Sequence, residues 1–172
     1  MTTIASTDAA PSYRWLRVFL VLIAALEFLD ALSGVHNIFT DYHHDTTLLR
    51  FAQALTSVSL ALSPVLAGAA LIFAALGNIR RAILALAALV LAVWLLDGLP
   101  SIAIHGIKLT PDYGGLEEFL LYFFAPATAV AAALLARKDR RLPLAGVLVC
   151  LPALFKWIGG VIFLIAVMIY GF

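Results

Sequence analysis

Charge is what this chain has least of. Only 12% of its 172 residues are Asp, Glu, Lys or Arg, against 64% hydrophobic, and a soluble domain carries roughly twice that charged share. A water-facing surface so poor in charge would expose apolar patches and aggregate, which excludes an ordinary soluble globule. Cysteine is nearly absent as well. The single Cys150 excludes an internal disulfide, a zinc site built on several cysteines and a CxxCH haem attachment. The net charge of +1 gives no electrostatic reason to expect nucleic acid as a partner. No GxSxG, P-loop or GxGxxG occurs and Cys150 has no basic neighbour, so no nucleophile with its base can be named. The sequence therefore leans away from an enzyme and identifies no cofactor.

Long apolar runs are abundant, and the mean hydropathy is +1.06. They cover about 17–38, 52–76, 82–104, 116–136 and 142–170. Each is long enough to cross the hydrocarbon core as a helix, the structure that satisfies its own backbone there. A transmembrane barrel would alternate apolar and polar residues, whereas these runs are solidly Ala- and Leu-rich. The expected fold is all-α, an integral membrane bundle of five transmembrane helices with membrane lipids around it. Residues 1–13, rich in Thr, Ser and Ala, are expected to be a flexible cytoplasmic tail ahead of one transmembrane domain, 14–172. The last run exceeds the crossing length and is expected to tilt, kink at Pro152 or protrude. Residues 14–33 also look like a secretory signal, but Glu27 inside the apolar stretch argues against cleavage.

Orientation follows from the basic residues. Arg14, Arg17, Arg80, Arg81, Arg137, Lys138, Arg140 and Arg141 all fall on one side of five crossings, with only Arg50 and Lys108 opposite and Lys156 within the last run. The basic side is expected in the cytoplasm, with the N-terminus in and the C-terminus out. A bacterial inner membrane is the expected location.

Polar residues inside the runs are costly there and face a bundle interior or a wet cavity. Counted at 1.5 Å per residue from the inner ends, Glu27 lies at roughly 15 Å, Asp30 at roughly 20 Å and Asp97 at roughly 24 Å. Ser63, Tyr122 and Lys156 all come out at roughly 22 Å. Every helix thus places a polar side chain in one layer of the outer half. Glu27, Asp30, Gly34 and Asn37 share one stripe of the first helix, Asp97, Ser101 and His105 one of the third, and Glu118 and Tyr122 are one turn apart. Glu27, Asp30 and Asp97 against Lys156 leave two excess negative charges. Low dielectric favours a neutral carboxyl, so at least one acid is expected to be protonated or to hold a cation. Lys156 is expected to pair with Asp30 or Asp97. Pro64, Pro126 and Pro152 recur at mid-depth, with Pro100 further out, and each frees a carbonyl one turn back.

His36, His43, His44 and His105 all fall on the outer side. Asp41, His43 and His44, with His105, carry groups suited to zinc, copper or iron, although adjacent loop histidines are poor partners on one metal. His36 and His105 are the only pair placed for a haem, and His36 lies opposite the Glu27/Asp30 stripe. Three function classes remain. The leading one binds or moves an ion, proton or small ligand through a polar cavity lined by Glu27, Asp30, Asp97, Tyr122 and Lys156. The second is an accessory subunit docking a membrane protein partner or a second copy of itself, and the third a metal- or haem-dependent membrane enzyme.

Overall fold

A computed structural model of the chain describes residues 13–35, 47–107, 113–138 and 141–171. Among the described residues there are five helices and no strand. These are α1 (Arg14–Gly34), α2 (Thr47–Ala75), α3 (Ile79–His105), α4 (residues 113–137) and α5 (Leu142–Tyr170). Helices α1 to α4 each begin three to five residues before the boundary read from hydropathy. Polar residues such as Thr47, Arg80 and Arg81 extend a helix as well as apolar ones do, because the backbone makes the hydrogen bonds. Four helices, α2 to α5, are long and apolar enough to cross a membrane. The first stands apart, since any eighteen consecutive residues of its 21 include Arg17, Glu27 and Asp30. The last run is one continuous helix with Pro152 inside it.

Helix α3 touches all four others, α2 lies between α1 and α3, and α5 packs on α4 and closes back onto α1. Among the described residues, twelve of the twenty buried hydrophobic ones are alanine. They cluster at one end of the bundle: Ala67, Ala70 and Ala74 of α2, Ala82 and Ala87 of α3, Ala129, Ala132 and Ala136 of α4, Ala145 and Ala153 of α5. Among the described residues this end carries every arginine but Arg50. Hydrophobic transfer gives little drive to associate helices in lipid, so close approach over small residues, with its dispersion contacts, has to supply it. The tightest approach joins α1 to α5, where a Cβ added to Gly146 would sit 2.5 Å from Leu16 Cδ1.

The arginines at this end also terminate helices. Arg17 donates from its guanidinium to the Ala75 carbonyl at the end of α2, and Arg80 donates to the Arg137 carbonyl at the end of α4, at 3.0 Å. Both place positive charge on the last carbonyls of a helix, where the macrodipole favours it. Between α2 and α3 the chain reverses over three residues. Gly77, at φ 78°, and Asn78 donate back to Ala74 and Phe73, and the Asn78 side chain then accepts from the Arg81 amide to start α3. Few residues but glycine adopt that φ without strain.

The opposite half is loosely packed. From Val161 to Ile165 and from Met168 to Tyr170 the large side chains of α5 are exposed around the helix. Gly146→Val is expected to lower the thermal midpoint in detergent by an equivalent of about 1–3 kcal/mol, the usual cost of overpacking. Gly160→Val, at a glycine with no neighbour within 4 Å, is expected to leave it unchanged.

Candidate functional site

Two prolines shape the walls. Proline has no N–H for the carbonyl four residues back, and its ring crowds that carbonyl. In α3 and α4 the helix widens to a π-turn just ahead of the proline, at Trp94–Gly98 before Pro100 and at Leu120–Phe124 before Pro126. In both, the residue preceding proline donates five residues back, Leu99 to Trp94 and Ala125 to Leu120. Such π-turns are rare and concentrate at functional sites. Pro126 would have bonded Tyr122, and the stranded Tyr122 carbonyl instead accepts from the Trp94 indole N–H across the interface at 2.9 Å. The two irregular turns therefore face and tie each other.

Above the alanine-rich end, all five helices surround a cavity of about 830 Å³. Ligand pockets span about 300–1,000 Å³. Its charged residues are Glu27 and Asp30 from α1, Asp97 from α3, Glu117 from α4 and Lys156 from α5. Lys156 Nζ donates to Asp30 Oδ2 at 2.5 Å, joining α5 to α1. The Trp157 indole donates to Glu27 at 3.4 Å. Thr56 of α2 donates to Asp97 Oδ1 at 2.8 Å. No ion pair among the described residues involves Glu117. Ser59 and Ser63 also line the cavity, but the Ser63 hydroxyl is spent on the Ser59 carbonyl at 2.8 Å. Most of the remaining lining is apolar, including the aromatic rings of Trp94, Phe124, Phe155 and Phe163.

Of the residues read from the sequence, Glu27, Asp30, Asp97 and Lys156 are gathered in this cavity, and Lys156 takes Asp30 as its partner. Gly34 lines it with them, and Asn37 lies outside the described residues. Tyr122 does not line the cavity; its hydroxyl donates to Ser101 Oγ at 3.4 Å. Asp97 lies inside the π-turn of α3, and the helix continues through Pro100 to His105. His105 is exposed, with Nδ1 3.3 Å from the Ser101 carbonyl oxygen. His36, Asp41, His43 and His44 lie outside the described residues. Among the described residues no three His, Cys, Asp or Glu side chains converge closely enough to hold a metal ion.

Glu117, Thr56, Trp94 and Trp157 were not singled out from sequence. Thr56 had a readable signal, since it stands seven residues ahead of Ser63 on the same face of α2. Glu117 had none, because Glu118 shares the one-turn spacing to Tyr122 and Glu117 does not.

Two variants test the ties. Asp30→Asn and Lys156→Met are each expected to lower the thermal midpoint by an equivalent on the order of 1 kcal/mol, because each strands one charge of a partly exposed pair. The double variant is expected to recover most of the loss. Equal stability of all three to the parent would show the pair to be idle. Trp94→Phe is expected to cost about 1–3 kcal/mol by orphaning the Tyr122 carbonyl.

Compared with known proteins, the chain matches no family model, no curated protein and no solved structure.

Proposed function

We propose that the chain is a multi-pass membrane protein, N-terminus in the cytoplasm and C-terminus outside, that binds or passes a positively charged ion or small ligand through the cavity between its helices. In this reading α1 is the fifth crossing. Its charges are tolerable there because Asp30 is paired across to α5, Glu27 is bonded to Trp157, and Arg17 reaches the polar end of α2. The basic residues of the alanine-rich end favour the cytoplasmic side for it, and in this reading the cavity falls in the outer half of the membrane.

The observation that carries the reading is the charge balance of the cavity. Four carboxylates, Glu27, Asp30, Asp97 and Glu117, line it against one ammonium, Lys156. Residues of one sign in a low-dielectric cleft focus the field and concentrate the opposite charge. An anionic guest would meet acids in excess of the one ammonium; a cationic one balances them.

The rival reading, an accessory subunit of a larger membrane complex, draws on the unpacked outer half of α5. Purification in mild detergent separates the two, since a stable protein partner favours the subunit and a monodisperse lone chain favours the binding protein. Topology is tested with single cysteines and a membrane-impermeant maleimide, the native Cys150 being buried. A cysteine at Lys138 is expected to react only after the cells are permeabilised, and one at Gly106 in intact cells. The reverse pattern would invert the protein and place the cavity on the cytoplasmic side.

A further inference from the structure

The cavity's size, the dispersal of its acids and its aromatic walls together narrow the guest. A small inorganic cation is held by several oxygens converging on one point at 2.0–2.6 Å, and the described acids do not converge. They belong to three helices and are unequally engaged. Asp30 is neutralised by Lys156, and Glu27 lies in the field of the same ammonium and accepts from the Trp157 indole. Asp97 accepts from a neutral hydroxyl only, at Thr56, and Glu117 has no counter-ion among the described residues. The unspent negative charge therefore lies on α3 and α4, within the π-turn of one and just ahead of the π-turn of the other. The same cavity is lined by Trp94, Phe124, Phe155 and Phe163, of which Phe124 and Phe155 pack edge to face with centroids 5.7 Å apart. Aromatic faces attract a cation whose charge is spread and weakly hydrated. An 830 Å³ space lined mainly by apolar atoms would leave a bare sodium ion largely unsolvated, whereas it can enclose an apolar body.

Resting on the proposed function, and going one step beyond it, we propose that the cavity receives a lipophilic organic cation. A quaternary ammonium, a phosphonium or a protonated amine with bulky apolar substituents meets this description. Asp97, oriented by Thr56, and Glu117 balance its charge, and the four aromatic rings hold its body. Lys156 stays with Asp30 and repels a cation from the α1–α5 seam, so the guest sits toward α3 and α4.

The test uses two probes of one shape and opposite charge, tetraphenylphosphonium and tetraphenylborate. The full chain is reconstituted in phosphatidylcholine nanodiscs, and binding is measured by equilibrium dialysis against empty discs. Tetraphenylphosphonium is expected to bind saturably and tetraphenylborate no better than to empty discs. Asp97→Asn and Glu117→Gln are each expected to weaken binding about tenfold, equivalent to one lost charge contact, and Lys156→Met, which removes the repelling ammonium, to tighten it. Circular dichroism and the thermal midpoint establish that each variant is folded, and the exposed Glu117 supplies a readout if the Asp97 variant does not fold. Equal binding of both probes, or folded Asp97 and Glu117 variants that bind as the parent does, overturns the organic-cation assignment but leaves a ligand-binding cavity. If neither probe binds and sodium chloride raises the thermal midpoint of the parent but not of Glu117→Gln, the guest is inorganic and the assignment falls alone. If no cation of either kind registers, the proposed function falls with it.

Discussion

The constraint on which the rest depends is the close approach of helices over small side chains at the arginine-bearing end. In lipid, leucine against leucine is no better than leucine against an acyl chain, so helices associate where their backbones come near. Here that nearness comes from Ala67, Ala70 and Ala74 meeting Ala82 and Ala87, from Ala129, Ala132 and Ala136 on α4, and from Gly146 admitting Leu16. Because the small residues stop near mid-length, so does the tight packing. Beyond it the walls carry Phe, Trp and Leu together with the charges, and the helices stand apart. The cavity is the consequence of an alanine pattern that covers one half of α2, α3, α4 and α5.

A polar site in such a place needs backbone irregularity that costs little. A proline in mid-helix leaves a carbonyl without its donor, and in the membrane an unsatisfied carbonyl costs several kcal/mol. The chain meets this in α4 by aiming the Trp94 indole at the Tyr122 carbonyl, and the donor comes from the matching π-turn of α3. Each π-turn inserts an extra residue into its helix, which rotates the faces on its two sides relative to one another. Asp97 sits within the turn and faces the cavity, while Ser101, one turn further on, meets Tyr122 instead.

That rotation explains what sequence reading captured and what it missed. Helix order, the full extent of 142–170 and the shared layer of Glu27, Asp30, Asp97 and Lys156 were legible, because depth along a helix depends only on rise per residue and survives local irregularity. The Glu27/Asp30/Gly34 stripe was also legible, since α1 is regular over its whole length. Stripes that ran through a π-turn were not. Asp97 lines the cavity and Ser101 does not, although Ser101 and His105 still lie one regular turn apart, and of the two neighbouring acids of α4 it is Glu117 that lines the cavity. Composition carries no signal for a π-turn, although both lie directly before a proline inside an otherwise apolar run. The partner of Lys156 was open between Asp30 and Asp97 because both lie at its depth. Only the packing of α5 beside α1, set far below by Gly146 and Leu16, decides it.

Seal and site are therefore coupled through α5. Its lower half carries the small residues that bring it against α1, and ten residues above Gly146 the same helix delivers Lys156 to Asp30. If α5 turned about its axis by one residue, Leu16 would lose its seat and Lys156 its partner together. The pair then does more than neutralise Asp30. By fixing the one ammonium of the cavity at the α1–α5 seam, it leaves Asp97 and Glu117 uncompensated on the far wall. The asymmetry of charge across the cavity thus follows from where small residues allow two helices to touch.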